Sequence, residues 1–260
     1  MKKTGKKMIA WLLCVACLMI PISASSPACH WYCIRTKANR QPPIPPEYAF
    51  VKEYGGYFLD ETHGDGVEDK VVYLTFDAGY ENGNVAKTLN VLRKEGVSAA
   101  FFVLSHFVRA NGDLIERMER EGHLVCNHTA THKDLSHAST ETIESEIKAL
   151  ENVYREQTGK EMAKYFRPPE GSFSRSMLQS VYALGYKTVF WSFAYADWDN
   201  NKQPSAEKAL RTVMDNMHNG AVILLHPTSS TNVEILSRVI GELKAMGYRF
   251  GTLDELCGVL

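Results

Sequence analysis

Short apolar runs alternate with segments of helical periodicity over most of this chain. The first run, residues 71–76, is rich in β-branched and aromatic side chains, and the segment after it places Val85, Leu89 and Leu92 on one helical face. This order predicts a β-strand followed by an α-helix. The same pattern then recurs and predicts strands over 99–103, 124–127, 165–167, 187–191, 221–225 and 248–252, and helices over 113–121, 140 to about 157, 174–184, 206–218 and 233–246.

Seven strands in strict alternation with helices predict an α/β domain with a parallel sheet, either open and doubly wound or closed into a barrel. No Gly-x-Gly-x-x-Gly follows the first strand, so the fingerprint of dinucleotide binding is missing. Five polar residues stand at or just beyond the C-terminal ends of strands, where parallel α/β folds gather their active sites. They are Asp77, His128, Arg167, Asp197 and His226.

The N-terminus has the layout of a secretory signal peptide. Four lysines precede an apolar run over residues 8–20, and Pro21 and several small residues follow it. The run is shorter than the roughly 20 residues of a membrane span, so cleavage near Ala24 or Ser25 is favoured over a retained anchor. We therefore expect an exported protein. The predicted organisation is a signal peptide over 1–25, an N-terminal extension with a proline-rich segment over 26–66, and the α/β domain over 67–260.

The charge of the chain argues against a nucleic-acid partner. There are 29 Lys and Arg residues against 30 Asp and Glu, and four of the lysines lie in the predicted signal peptide. The remaining body therefore has 25 basic against 30 acidic residues, without the basic field that nucleic-acid binding requires. Four cysteines lie outside the signal peptide, too few in so long a chain for a disulfide framework. For Cys29 and Cys33 we expect a local bridge or none.

His128 and His132 stand four residues apart, a spacing at which two imidazoles can bind one metal ion. Taken alone, such a pair is more often two solvated histidines. Thr129 occupies the position where a zinc-protease helix requires glutamate, so this is not a site of that class. A metal ion held by two histidines needs another oxygen ligand, and Asp77 at the end of the first strand is the nearest candidate of that kind.

Five short segments, each after its own predicted strand, resemble the ordered motifs of the NodB-type polysaccharide deacetylases, carbohydrate esterase family 4. The resemblance extends over about residues 67–256 and implies a distorted, seven-stranded (β/α) barrel. It also implies metal-dependent removal of acetyl groups from an amino sugar. The metal would be a divalent ion bound by His128 and His132, with zinc as the first candidate. The segments are Thr75–Gly79, His128–His132, Arg167–Pro169, Asp197–Trp198 and Leu224–His226.

Within that family the chain is similar to the delta-lactam-forming peptidoglycan deacetylases, which act on N-acetylmuramic acid during spore-cortex maturation. This similarity implies peptidoglycan glycan strands as the substrate, and an amidase that removes the stem peptide as a partner upstream. We expect a monomer in the cell wall or the extracytoplasmic space. The residues that carry the similarity are Trp31–Tyr32, Gln41–Pro43, Gly79–Gly83 and Glu121–His123.

Hydrolysis of an acetamide needs an activated water, a group that stabilises the oxyanion and a proton for the departing amine. By resemblance, Asp77 is the base that takes the proton from the water, and His226 is the acid that protonates the nitrogen. Arg167 is expected to pair with Asp77, and Asp197 with His226, which would set their charge states. A strand-end cap, a turn residue and ordinary salt bridges are the plainer interpretations of these residues.

Three more residues belong to the predicted site. By resemblance, the backbone N–H of Glu170, in the stiff turn after Arg167, would help hold the oxyanion. Trp191 and Trp198 are candidates for stacking on sugar rings or for the wall of a groove. Buried packing is the plainer interpretation for at least one of the two tryptophans.

The first motif departs from the family pattern at Ala78, where most members have a second, metal-binding aspartate. A methyl group cannot bind a metal ion, so the affinity of the site is expected to be weaker. Glu81 could replace the missing ligand, although a hydrogen bond within its loop is the favoured role. We expect the chain to retain metal-dependent activity through His128 and His132, and Ala78→Asp to tighten metal binding.

Two alternatives stay open. The same fold could deacetylate N-acetylglucosamine in peptidoglycan or chitin-like polymers, or remove acetyl esters from xylan. The chain could also be a catalytically inactive barrel that binds wall glycans, with Ala78 marking the loss of activity. The four acid-base residues argue against the inactive barrel, because a binding protein has no need of them. These residues are Asp77, Arg167, Asp197 and His226.

Overall fold

A computed structural model describes residues 27–36 and 38–259, so the predicted signal peptide lies outside the described residues. All seven predicted parallel strands are present within a residue or two of the expected positions, and three short strands accompany them. The strands are β1 Cys29–His30, β2 Gly56–Tyr57, β3 Lys70–Ala78, β4 Ala100–Val103, β5 Leu124–Asn127, β6 Tyr165–Phe166, β7 Ser172–Phe173, β8 Lys187–Val189, β9 Ala221–Leu225 and β10 Tyr248–Phe250.

The main sheet is parallel and curls into a distorted barrel, in which β3 pairs with three other strands. Its hydrogen-bonded order is β10-β3-β4-β5-β6-β8-β2, and β9 also pairs with β3. The long β3 strand pairs with β10 through residues 70–72, with β9 through 72–76 and with β4 through 75–78. Beyond the end of β8, Phe193 forms a parallel bridge with Ile223 of β9. This bridge joins the β8 side of the sheet to β9. The predicted seven-stranded (β/α) barrel is therefore confirmed, with an irregular seam after β8.

The helices connect these strands and cover the outside of the barrel. The helix predicted over 113–121 is preceded by a separate short helix, and the one predicted from Val233 begins three residues earlier because Ser229 caps it through the N–H of Asn232. Within the described residues no helix is long and apolar enough to cross a bilayer. The helices are α1 Asn84–Glu95, α2 Ser105–Ala110, α3 Gly112–Arg120, α4 Thr140–Thr158, α5 Arg175–Ala183, α6 Ala206–Met214, α7 Ser230–Ala245 and α8 Leu253–Leu256.

Alternation along β3 sorts its side chains between two apolar layers. Leu74 and Ala78 belong to the layer between the barrel and the outer helices α1 and α7, whereas Tyr73 belongs to the layer that fills the barrel. The same period places Asp77 on the face of Tyr73, toward the barrel interior. The side chain of Asp77 therefore lies on the inner face of the sheet, whereas that of its neighbour Ala78 lies on the face covered by helices.

The N-terminal extension packs onto the barrel, which its irregular sequence did not indicate. Strand β1 pairs antiparallel with β7, and β2 adds to the main sheet beside β8. Trp31 is buried, and the side-chain amide of Gln41 donates hydrogen bonds to the carbonyls of Asp60, His63 and Asn219. Short 3₁₀ helices over Pro46–Tyr54, Glu61–His63 and Pro169–Gly171 complete the fold.

The buried His123, just before β5, predicts a loss of stability in mild acid. Its Nδ1 accepts a hydrogen bond from the Ala99 N–H at 3.1 Å, and burial lowers the pKa of the imidazole from 6.5 to about 4. As the pH falls through 6.5, the unfolded chain takes up a proton that the folded chain accepts only near pH 4. Across this window the free energy of unfolding is therefore expected to fall by up to roughly 3 kcal/mol from this group.

Urea unfolding of the wild type and of His123→Gln between pH 7 and pH 4 measures this contribution. Glutamine keeps an acceptor for the Ala99 N–H but does not titrate, so the variant should lose less stability than the wild type across the window. The same pH dependence in both proteins would show that His123 carries no part of the acid sensitivity.

Candidate active site

A cleft of about 680 Å³ opens at the C-terminal ends of the barrel strands. Seven of the nine predicted site residues line it, and the other two, Arg167 and Asp197, are buried behind it. Each buried residue forms a hydrogen bond with a lining residue, so the structure brings all nine together. The seven lining residues are Asp77, His128, His132, Glu170, Trp191, Trp198 and His226.

Arg167 fixes the carboxylate of Asp77. Its Nη1 donates to Asp77 Oδ1 at 2.8 Å, and its other N–H groups donate to Thr75 Oγ1 and to the carbonyls of Val189 and Phe190. Burial raises the pKa of Asp77, but the charge of Arg167, together with the nearby imidazoles, outweighs it and holds the pKa below its usual range. Asp77 is therefore ionised, with Oδ1 occupied and Oδ2 free to act in the cleft.

Asp197 holds His226 in the same way on the other side of the cleft. Asp197 Oδ1 accepts from His226 Nδ1 at 2.7 Å, while Oδ2 accepts from the His226 backbone N–H at 2.8 Å and from the amide of Asn232 at 2.6 Å. Burial lowers the pKa of His226, but the hydrogen bond and the charge of Asp197 together raise it by more, so the pKa lies above its ordinary value. With Nδ1 occupied, the proton on Nε2 is the one available to a ligand.

His128 stands between these groups and the second histidine. Its Nδ1–H donates to the carbonyl of Arg167 at 2.8 Å, and its Nε2 lies 3.7 Å from Asp77 Oδ2. The rings of His128 and His132 are 5.0 Å apart and nearly perpendicular. Burial lowers the pKa of His128 to about 4, so at neutral pH its Nε2 carries a free lone pair.

Sequence reasoning missed the residues that shape the loop between the two histidines. Thr129 and His132 both have positive φ, of 71° and 62°. Asn127 Oδ1 accepts from the Thr129 N–H, and the carboxylate of Glu146 accepts from the Thr131 hydroxyl and from the N–H groups of Ala130 and Thr131. The sequence holds no separate signal for Glu146, because other charged residues of α4 also flank the apolar stripe.

The fit of the cleft to a divalent ion depends on His128 and His132. Within the described chain, no three His, Cys, Asp or Glu side chains converge as a metal-binding group. Glu81 Oε2 accepts from the Val85 N–H at 2.9 Å and so stabilises the start of α1; the expected hydrogen bond is present, but its partner is in the helix and not in the loop of Glu81. Two imidazoles, one of them neutral with its Nδ1–H anchored on a carbonyl, still fit zinc when Asp77, water or substrate supplies the other ligands.

The two tryptophans differ in exposure. Trp198 is 61% exposed, and its ring lies 6.3 Å from that of His226, so its face is open to a sugar ring. Trp191 is half-buried and packs against the apolar layers while one edge lines the cleft. Tyr80, which was not predicted, is 48% exposed on the same rim and accepts a hydrogen bond from the side-chain amide of Asn200. Two exposed aromatic side chains, Trp198 and Tyr80, therefore border the cleft, and Trp198 lies beside His226.

Comparison with known proteins gives this geometry a context. A sequence profile described as polysaccharide deacetylase matches residues 64–189. The peptidoglycan-N-acetylmuramic acid deacetylase PdaA of Bacillus subtilis is 39% identical over 224 residues, covering 85% of this chain and 83% of PdaA. The solved structure of PdaA, a family 4 carbohydrate esterase, matches with a TM-score of 0.82 and 37% identity over 88% of this chain and 96% of that chain.

Other relatives differ in the sugar and in activity. A peptidoglycan-N-acetylglucosamine deacetylase of Bacillus cereus is 32% identical over 193 residues, covering 72% of this chain and 88% of that protein. The structure of a family 4 pseudoenzyme from Bacillus anthracis matches with a TM-score of 0.67 and 28% identity, over 73% of this chain and 66% of that chain.

Proposed function

This chain belongs to the polysaccharide deacetylase family, and we propose that it hydrolyses the N-acetyl group of N-acetylmuramic acid in peptidoglycan. The observation that carries the proposal is the pairing of Asp77 with Arg167 and of His226 with Asp197 at one cleft. The similarity to PdaA over most of both chains supports muramic acid as the sugar. As further parts of the proposal, the protein acts after export, an amidase first removes the stem peptide, and the product becomes the muramic delta-lactam of spore cortex.

The proton transfers follow from the two pairs of residues. Arg167 occupies Asp77 Oδ1, so Oδ2 takes a proton from the attacking water as its oxygen bonds to the acetyl carbon. The carbonyl oxygen becomes an oxyanion, which the backbone N–H of Glu170 stabilises. His226 then gives its Nε2 proton to the sugar nitrogen as the C–N bond breaks. Acetate and a free amine are the products, and exchange with solvent restores both side chains.

His128 and His132 would hold a divalent ion beside these groups. When bound, such an ion polarises the acetyl carbonyl and lowers the pKa of the water. The Nδ1–H of His128 is anchored on the backbone of Arg167, which also orients Asp77. The candidate metal ligand and the base are therefore both hydrogen-bonded to Arg167, one to its backbone and the other to its side chain.

The proposal is tested by incubating the purified protein with peptidoglycan and analysing the muropeptides by mass spectrometry. Muramic acid without its acetyl group is the expected product, and Asp77→Asn is the matched inactive control. Deacetylation of glucosamine alone would overturn the assignment of the sugar. Release of acetate from acetylated xylan, with peptidoglycan unchanged, would identify an esterase instead.

An inactive glycan-binding barrel is the second candidate. Ala78 favours it, as does the similarity to the Bacillus anthracis pseudoenzyme. A protein that only binds glycans would need no raised pKa at His226 and no lowered pKa at Asp77, and both are present here. If the protein binds peptidoglycan in a pull-down but releases no acetate with any divalent metal ion added, the second candidate is correct.

Ala78→Asp is expected to make stability depend on a divalent ion. Ala78 is fully buried in the apolar layer, so a carboxylate there has no compensating partner without a metal ion and should lower the melting temperature. Because Ala78 faces the helix layer, the new carboxylate reaches the two histidines only by turning out of that layer at the end of β3. Pairing with a bound ion there would restore stability, and calorimetry should show tighter zinc binding than in the wild type. Melting curves of both proteins with zinc and with chelator measure the effect. Equal zinc affinity in the two proteins would show that position 78 cannot reach the metal.

The metal role of the two histidines is tested on the wild type. Protein stripped by a chelator should deacetylate far more slowly than protein reloaded with zinc, because the ion would activate the water and the carbonyl. Acetate release and zinc binding are measured on the same preparations. If the stripped protein works at the full rate, His128 and His132 do not act through a metal ion.

A further inference from the structure

The turn that carries Glu170 is strained. Glu170 has φ 57° and ψ 9°, and Gly171 after it has φ 68°, so two successive residues adopt left-handed conformations. For a residue with a side chain this conformation costs about 1–2 kcal/mol, and it persists only where the surroundings hold it. Pro168 and Pro169 restrict the entry to the turn. Its exit is the two-residue strand β7.

Strand β7 is held by the N-terminal extension. Among the described residues, its only strand partner is β1, with Cys29 opposite Phe173 and His30 opposite Ser172. The pairing continues into the turn, because the backbone N–H of Trp31 donates to the carbonyl of Gly171 at 2.9 Å. Ser172 Oγ and His30 Nδ1 add a side-chain hydrogen bond of 3.0 Å. The extension thus fixes the exit of the strained turn.

The side chain of Trp31 connects β1 and the strained turn to Trp191, which lines the cleft. Its indole N–H donates to the carbonyl of Trp191 at 2.8 Å, and its ring stacks on Phe190 at 4.4 Å between centroids. The space around Gly171 is closed, since a Cβ there would lie 2.9 Å from the Trp191 ring and 3.1 Å from Trp31 Cβ. Trp31 is therefore wedged between the turn and a tryptophan that lines the cleft.

We infer that the segment Cys29–Cys33 is a strap that positions the backbone N–H of Glu170, and that Trp31 is its main positioning residue. The inference rests on the proposed function, because it requires an oxyanion at that N–H. Trp31 is not among the residues that line the cleft and would act through Gly171 and Trp191. Loss of the contacts of Trp31 with Gly171 and Trp191 should therefore weaken the stabilisation of the transition state and leave substrate binding in the ground state unchanged.

Trp31→Phe tests the strap with little loss of packing, because phenylalanine keeps a ring on Phe190 but cannot donate to the Trp191 carbonyl. We expect kcat to fall about tenfold with KM unchanged, a fraction of the loss from removing an oxyanion donor. Tyr32→Phe is the matched control in the same segment, since Tyr32 is 46% exposed and its hydroxyl contacts only Glu47 among the described side chains. Ser172→Ala, which removes the bond to His30, should lower kcat in the same direction by less.

A tetrahedral anionic mimic of the transition state separates positioning from stability. Calorimetry with a muramyl phosphonamidate should show about tenfold weaker binding to Trp31→Phe at unchanged stoichiometry, in proportion to the loss of kcat. A lower stoichiometry with unchanged affinity would mean partial unfolding and would overturn the inference, as would an unchanged kcat in both Trp31→Phe and Ser172→Ala. Absence of acetate release by the wild type would instead overturn the proposed function, and the strap with it.

Discussion

Asp77→Asn is expected to lower kcat for acetate release by about a thousandfold, the effect of removing a general base. The amide oxygen can still accept from Arg167 Nη1, so the guanidinium keeps its partner and the cleft keeps its shape. What is lost is the ionised Oδ2, and the imidazole of His128 3.7 Å from it is a much weaker base, because burial lowers its pKa to about 4. Acetate release measured by a coupled assay, with circular dichroism to confirm folding, gives the result. Activity within tenfold of the wild type would remove Asp77 from the role of base.

Asp77→Ala provides the contrast that separates catalysis from stability. Arg167 is fully buried, and alanine would leave its Nη1 without the carboxylate that balances its charge. Breaking a buried pair from one side costs about 3–5 kcal/mol, and the asparagine variant, which keeps the hydrogen bond but not the charge, should lose distinctly less stability than the alanine variant. The free energies of unfolding of the wild type, Asp77→Asn and Asp77→Ala in urea therefore test whether Asp77 stabilises the fold in addition to its role in catalysis.

The regular part of the fold and the centre of the site could be predicted from the sequence because both follow from periodicity. The strands that lead to Asp77, His128 and His226 each contain a run of three or more apolar residues, and parallel strands bring their C-terminal ends to one edge. The order of the five motifs then linked these residues to one family. No distance between them was needed for either step.

The parts that escaped prediction depend on contacts between segments with no pattern of their own. Strands β1 and β7 have two residues each, too short for any alternation, and they pair across 142 residues of sequence, the separation of His30 and Ser172. The orientation of Ala78 toward the helix layer follows from the register of β3, which a motif alone does not give. Glu146 lies on a helix whose surface charges look alike in sequence, and only its contacts with the histidine loop set it apart.

The acid side of the site can be tested through the pH dependence of kcat. His226 must be protonated to donate to the leaving nitrogen, so kcat should fall as the pH rises through the pKa of the bound enzyme's imidazole. Asp197 raises that pKa through its charge and its bond to Nδ1. Asp197→Asn removes the charge, and the alkaline limb of the profile should therefore move to lower pH.

The loss in Asp197→Asn should be about a hundredfold at pH 8 and distinctly smaller at pH 6, where a larger fraction of the imidazole is protonated. The asparagine must keep its oxygen toward the His226 N–H and the Asn232 amide, which leaves its NH₂ facing Nδ1. That contact favours the neutral tautomer with the proton on Nε2, a far weaker acid than imidazolium. Asn232→Ala, which removes a donor from Asp197 but not its charge, is the matched control and should leave the alkaline limb close to its wild-type position. An alkaline limb that stays in place in Asp197→Asn would mean that another group, not His226, supplies the proton.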